Sequence, residues 1–166
     1  AAGAWAAELG RSVGADVPLS PQRLHLMQLL QAPPPDAATP VLWRLEDEVY
    51  FRADSQGFVA SPCDQVPWPA ERPPVDPARQ ADLQAKLEAA APSLAKAPVS
   101  RTWACLRTFA PDLEVVAGPD PRVGGLFWLT GLGGKGLSVA PAVAERVAEA
   151  LLGAGADALP PAFSAT

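Results

Sequence analysis

Apolar and polar positions change rhythm several times along this chain, and each change predicts an element. Residues 4–12 carry apolar and small residues at helical spacing and predict a short helix. Val17-Pro18-Leu19-Ser20-Pro21 reads as extended, because each proline pushes the residue before it out of the helical region. Arg23 to Leu30 alternates weakly, through Leu24, Leu26 and a less regular Leu29, and predicts a strand. Val41 to Leu45 and Glu48 to Arg52 are short strand-like runs parted by Glu46-Asp47, which is a hairpin pattern. Gln56-Gly57 then turns the chain into a third run, Phe58 to Ser61. Short strands joined by tight turns imply an antiparallel sheet.

Between and after these runs the pattern is set by proline and glycine. Ala32 to Pro40 holds four prolines and predicts a loop, and Pro62 to Pro74 is irregular for the same reason. Asp76 is placed to cap a helix with Pro77 at its first position, running to about Ala91 with Leu83 and Leu87 four residues apart. Ser100 to Phe109 predicts a strand, Glu114 to Ala117 a shorter one, and Gly118-Pro119-Asp120-Pro121 a turn. Leu126 to Leu129 is a continuous apolar run, the pattern of a strand buried on both faces. Four glycines in the six positions from Gly131 to Gly136 follow. A helix is expected from about Ser138, with Pro141 tolerated in its first turn, to Gly153, and the tail from Gly155 to Thr166 is expected to fray.

Composition narrows the function classes. A chain of 166 residues has one-domain length, but it is also compatible with being a piece of something larger. The opening, Ala1 to Leu9 with no initiator Met and a glycine turn with no strand before it, leads us to expect a fragment. Net charge is −5 with no basic run, which argues against nucleic acid. Cys63 and Cys105 are too few for a disulfide framework, and His25 is the single histidine, so a zinc site or a Ser-His-Asp triad has little material. Metal is therefore not expected. No apolar run reaches membrane-spanning length, and a soluble, cytoplasmic protein is expected.

The chemistry concentrates at two places. A strand, a glycine turn and a helix start together let bare backbone N–H groups face a ligand at a helix N-terminus. The helix that follows has no acidic residue in its first turn, and Lys135 adds a positive charge; both suit the carbonyl edge of a flavin ring or a phosphate. A tight structural connection explains the glycines equally well. Arg107 is the second place: strand alternation puts Trp103, Cys105 and Arg107 on one face, where a partly buried guanidinium needs an anion. That anion is either an internal carboxylate or a substrate carboxylate held by two N–H groups. Tyr50, the single tyrosine, lies mid-strand where most tyrosines are packing residues, and Arg23 shares a face with His25.

Three segments in order resemble one family. Ala1-Ala2-Gly3-Ala4-Trp5-Ala6 is similar to the opening turn of the FAD-dependent D-amino-acid oxidase superfamily, which includes glycine and sarcosine oxidases and D-amino-acid dehydrogenases. Trp103 to Thr108 with Ala110-Pro111-Asp112 and Gly118-Pro119 resembles its arginine strand, and Gly131-Leu132-Gly133-Gly134-Lys135-Gly136 its C-terminal flavin loop. Arg101 to Pro111 and Leu126 to Leu137 look closest to D-amino-acid dehydrogenases, including those acting on D-arginine. The resemblance implies FAD as cofactor, a small amino-acid or amine substrate, and hydride transfer from the substrate α-carbon to the flavin. It implies that Arg107 holds the substrate carboxylate, with Arg23 as a second carboxylate contact. Tyr50 then matches an active-site tyrosine. Gly133, Gly134, Lys135, Gly136 and Leu137 match the loop that meets the flavin, and Gly3 a turn near the cofactor.

The sequence also departs from that family. Leu132 stands for a common histidine, Cys105 for a glycine, and Thr108 where proline is frequent. The N-terminal βαβ unit with its G-x-G-x-x-G fingerprint, which holds the ADP half of FAD, is absent. The expected fold class is α+β: an antiparallel substrate-binding sheet with flanking helices, plus the strand-loop-helix that returns to a FAD-binding domain. The expected boundaries are 1–16 for a FAD-domain turn and helix, 17–112 for the sheet domain, 113–154 for the return, and 155–166 for a tail. Two alternatives stay open. The chain is a non-catalytic remnant or interaction module without cofactor, or its missing N-terminal FAD-binding half is a separate polypeptide. The second predicts a large exposed apolar patch.

Overall fold

The computed structural model describes residues 2–154, so the predicted frayed tail lies outside the described residues. The first half runs α1 (Ala6–Ser12), β1 (Ser20–Leu30), β2 (Leu42–Arg44), β3 (Val49–Asp54), β4 (Gly57–Ser61) and β5 (Val66–Pro67). The second runs α2 (Ala78–Ala90), α3 (Pro92–Ala95), β6 (Val99–Phe109), β7 (Val116–Pro119), β8 (Phe127–Thr130) and α4 (Gly136–Glu149). Mixed helix with antiparallel sheet is thus the observed class. Two compact units divide the chain: a sheet unit of residues 23–66 and 72–105, and a hairpin unit of residues up to 22, 67–71, and from 106 onward. Among the described residues no helix is long and apolar enough to cross a membrane.

The strands order as β2-β3-β4-β1-β5, with β6 also pairing with β1. In the sheet unit the register is antiparallel at β2–β3, β3–β4 and β1–β4, and Met27, Ala60 and Phe51 stand side by side across three strands. That row, with Leu29, Val49 and Phe58, packs on Leu83 and Leu87 of α2 and on Leu94 and Ala95 of α3. Phe51 and Phe58 meet edge to face at 5.9 Å between ring centres. Two turns differ in detail from the sequence reading. The β2–β3 turn takes the four residues Leu45–Glu48, with Glu48 at φ 48° and an Arg44–Asp47 ion pair of 2.7 Å across it. The β3–β4 turn is Ser55-Gln56, and Gly57 already belongs to β4. A Cβ at Gly57 would sit 2.2 Å from the Leu29 carbonyl oxygen, so only glycine lets the two strands close there.

A proline-rich segment cannot tie itself down by its own backbone, since each proline lacks an N–H. In residues 62–76, apart from the pairing of β5 with β1 and the Trp68 amide on the Pro21 carbonyl, side chains do the tying. His25 is fully buried, and its Nδ1 lies 2.6 Å from Asp64 Oδ2. Its backbone N–H donates to Asp64 Oδ1 at 2.9 Å, and its Nε2 accepts the Asp76 backbone N–H at 2.9 Å. A main-chain N–H can only donate, so Nε2 is the bare nitrogen and Nδ1 carries the proton. Arg23 reaches Asp76 at 3.5 Å and the Pro74 carbonyl at 3.4 Å, and Lys86 donates to the Pro62 carbonyl at 2.6 Å. Asp76 caps α2 as expected, taking the Ala78 N–H at 3.0 Å with Pro77 already in helical geometry. That N–H first, and the neighbouring Arg79 and Arg23, lower the Asp76 carboxyl below its ordinary value despite some desolvation.

In the hairpin unit β7 and β8 pair antiparallel, Val116 with Thr130 through Pro119 with Phe127. One face of this ribbon packs Val116 and Trp128 against Ala6, Ala15, Val17 and Ala110; the other packs Val115 and Ala117 against Val143 and Val147 of α4. A Cβ on Gly10 would fall 2.4 Å from the Trp128 ring, so α1 sits on the indole through a glycine. Outward, α1 exposes Trp5, Leu9 and Val13 in one stripe. Three expectations are corrected here. Gly118-Pro119 lie within β7, and the reversal is made by Asp120, whose carboxylate takes the Arg122 and Val123 amides at 2.8 and 3.0 Å. β8 is not buried on both faces: Leu129 is 45% exposed while Trp128 and Thr130 are buried, because α4 packs on Val115 and Ala117 and leaves Leu129 outside that cluster. Helix α4 starts at Gly136, two residues early, which puts Pro141 in its second turn.

Two outcomes follow from these tethers. Asp64→Ala leaves the His25 ring N–H and amide buried without an acceptor and should cost about 2–3 kcal/mol in urea unfolding. Asp120, held well below the ordinary value of 3.8 by the Trp128 indole N–H and then by Arg122, should stabilise the fold fully above that value. Its contribution is lost as pH falls below 3.8, because the depressed group is protonated first in the unfolded chain. Asp120→Asn should therefore make the acid limb of the stability–pH curve shallower between about pH 4 and pH 2.

Candidate functional site

Strand β6 ends in Leu106-Arg107-Thr108-Phe109, and the glycine loop after β8 closes onto that end. The Gly133 amide donates to the Thr108 carbonyl at 3.0 Å. Gly133 has φ 51°, and a Cβ there would lie 2.4 Å from Phe109 Cε1. The residue must therefore be glycine on two counts, backbone conformation and space. At Gly134 a Cβ would lie 3.1 Å from Arg107 Nη1, 3.2 Å from its Cζ and 3.4 Å from its Nε. Near-equal distances to three guanidinium atoms mean that the loop backbone meets Arg107 broadside. Alternation along β6 puts Arg107 and Phe109 on one face, so adjacent loop glycines rest on alternate strand side chains.

Arg107 is half-buried, and among the described residues no carboxylate pairs with it. Of the two anions open to it, the internal carboxylate is thus not found there. Lys135 does have a partner, Glu114 at 3.7 Å, with both side chains about half exposed. Its charge is offset rather than presented to a ligand. Helix α4 opens at Gly136 with no acidic residue in its first turn, and the amides of Gly136 and Leu137 have no carbonyl of their own helix to meet. Leu137 is 97% exposed. Gly3, at φ 51°, opens the 3₁₀ turn that leads into α1, and nothing lies within 4 Å of where its Cβ would be.

The other two predicted residues belong to the sheet unit and part company there. Arg23 alternates with His25, Met27 and Leu29, the row facing α2, and its guanidinium meets Asp76. Tyr50 is half-buried on β3, opposite Trp43 on β2 and Ser61 on β4, in the row turned away from α2. Arg107, Gly133 and Gly134 are therefore brought together, while Arg23 and Tyr50 stand on opposite faces of one sheet. The sequence reading missed Phe109 and the Thr108 carbonyl as the seat of the loop. Their signal was available, since Phe109 is two residues from Arg107 in the same strand.

Residues 1–150 match the family described as DAO, FAD dependent oxidoreductase, and the chain belongs to that family. An uncharacterized oxidoreductase, YurR, of Bacillus subtilis (strain 168) is 29% identical over 152 residues, 92% of this chain and 41% of the relative. The crystal structure of iminodiacetate oxidase from Chelativorans sp. BNC1 superposes with a TM-score of 0.80 at 25% identity, over 98% of this chain and 44% of that one. Glycine oxidase from Geobacillus kaustophilus shares the fold with a TM-score of 0.81 at 21% identity, over 99% and 43%. The chain thus spans about two fifths of the length of these relatives.

The loop geometry separates its glycines by role. Gly133→Ala forces a side chain into a left-handed position and into the Phe109 ring, and should cost about 2–4 kcal/mol in thermal or urea unfolding. Gly136→Ala meets only Leu132 Cβ at 3.6 Å, an ordinary contact, and should be close to neutral.

Proposed function

We propose that the polypeptide carrying these residues oxidises an amino acid or related amine at its carbon–nitrogen bond, with Arg107 anchoring the substrate carboxylate. The observation that carries this reading is the half-buried guanidinium of Arg107, without a carboxylate of its own among the described residues and seated against the glycine loop. A carboxylate can take two N–H groups of such a guanidinium at once, which fixes both its position and its orientation. Iminodiacetate oxidase acts, by its name, on an amine flanked by carboxylates, which agrees with an arginine anchor.

Family membership implies FAD in the complete protein. The donor set fits that group at the start of α4, where the amides of Gly136 and Leu137 open a 14-residue helix whose first turn bears no acid, while the Gly133 amide is already given to the Thr108 carbonyl. In this reading Gly134, Gly136 and Leu137 would face the flavin through their backbone, Gly133 and Lys135 would fix the course of the loop, and Gly3 would lie near the cofactor. FAD, when bound, supplies the acceptor for the substrate's hydride. The chain's own work is to bind and orient. Arg107 holds the carboxylate, so that one end of the substrate is fixed and its α-carbon has a defined placement. Tyr50 is the active-site tyrosine of this reading. We leave Arg23 to the seam between sheet and α2, where Asp76 already takes its charge. The finer assignment is a D-amino acid, resting on the likeness of Arg101 to Pro111 and Leu126 to Leu137 to D-amino-acid dehydrogenases. The units in this reading are a substrate-binding sheet and a return to the FAD-binding domain.

Arg107→Ala in the flavin-loaded polypeptide should raise KM for a carboxylate-bearing amine by roughly 30- to 150-fold, the equivalent of about 2–3 kcal/mol. An amine without a carboxylate should be insensitive to the change. Unchanged KM for both would sink the assignment.

A further inference from the structure

We infer that Gly134 is a positioning residue for Arg107: without a side chain it leaves the guanidinium where an added Cβ would press it aside by a few tenths of an ångström. The inference rests on the reading of Arg107 as the carboxylate anchor and extends it to the residue that sets where the anchor stands. Glycine is required at Gly133 by its φ of 51° and by the Phe109 ring. Neither reason holds at Gly134, which lies outside the left-handed region. An alanine there is acceptable to the backbone. The three nearest atoms to its Cβ, at 3.1, 3.2 and 3.4 Å, all belong to Arg107.

The consequences differ in kind from those at Gly133. A Cβ at 3.1–3.2 Å requires its neighbour to give way by a few tenths of an ångström. The neighbour is the far end of a flexible side chain, so it can move without disturbing the fold. What changes is the placement of the guanidinium. The Gly133 amide, bonded to the Thr108 carbonyl at 3.0 Å, holds the loop backbone against the strand that carries Arg107. The loop therefore acts as a fixed stop, and the guanidinium yields to it. Because misplacement by a full ångström costs on the order of a hundredfold in an oriented site, a few tenths should cost about three- to tenfold.

The test uses the flavin-loaded polypeptide and acetate as the probe, with acetate affinity read from the change it induces in the visible flavin spectrum. That titration reports only on loaded molecules, so flavin content does not enter the ratio. Gly134→Ala should weaken acetate by about three- to tenfold, and Gly134→Val by more. In an Arg107→Ala background the same change at Gly134 should have no further effect, as a double-mutant cycle requires of coupled residues. Independently, the Arg107 Nε–H resonance should shift in Gly134→Ala and stay in place in Gly124→Ala, where nothing lies within 4 Å of the added Cβ. Acetate binding untouched by Gly134→Ala, or an effect that persists without Arg107, overturns the inference, as does an unmoved Nε–H resonance. If Arg107→Ala alone leaves acetate binding unchanged, the carboxylate-anchor reading fails, and the resonance still decides whether Gly134 positions Arg107.

Discussion

The close approach of the glycine loop to the end of β6 is the constraint on which the candidate site depends. One backbone hydrogen bond, from the Gly133 amide to the Thr108 carbonyl, brings two main chains within 3.0 Å. At that separation a side chain at Gly133 has no room, and one at Gly134 would crowd the guanidinium. A Cβ on Gly133 would lie 2.4 Å from Phe109, and one on Gly134 would lie 3.1 Å from Arg107. The start of α4 follows two residues later, so the helix N-terminus, the bare loop and the guanidinium share one small region of the hairpin unit. The pattern of glycines is a record of that contact as much as of any ligand.

The sheet unit solves a different problem, that of holding a long proline-rich connection. Backbone donors are scarce there, and the chain substitutes buried and partly buried side chains: Asp64 for the His25 amide and ring, His25 Nε2 for the Asp76 amide, and Lys86 for the Pro62 carbonyl. The same node decides the fate of Arg23. Its neighbour two residues on, His25, is drawn toward α2 by Asp64 and Asp76, and Arg23 follows on the same face to Asp76. Tyr50 points the other way because β3 pairs in register with β4, with Phe51 and Ala60 on the α2 side. The two faces of the sheet thus differ: one is covered by α2 and the other carries Tyr50.

Family membership and two-fifths coverage of its relatives give the two units their context. The sheet unit carries Tyr50 on the face not taken by α2, and the hairpin unit carries the arginine and the glycine loop. Along the chain these pieces interleave, since the connection at 67–71 belongs with the hairpin unit and β6 passes from one unit to the other. The single strand β6 therefore carries Trp103 and Cys105 in one unit and Arg107 in the other.

Much of this was legible in the sequence. Local rules located nearly every element: the cap at Asp76 and Pro77, the strand from about Ser100 to Phe109, the three-strand meander, and the strand, glycine loop and helix near the C-terminus. Even the register of β2 on β3 was implicit, because a two-residue turn at Glu46-Asp47 and the observed four-residue turn pair the same residues, Trp43 with Tyr50. Such features depend on residues close in sequence, where proline, glycine and alternation act directly. Burial and partnership were decided elsewhere. The exposure of Leu129, the commitment of Arg23 to Asp76, the offset of Lys135 by Glu114 and the seating of Arg107 on Gly134 all join segments far apart in the chain. The sequence by itself determined which residues are candidates for chemistry and in which elements they lie. Only the tertiary structure decided which of them meet, because a side chain's partner is set by distance in space, and alternation along one strand cannot say what the opposite wall will be.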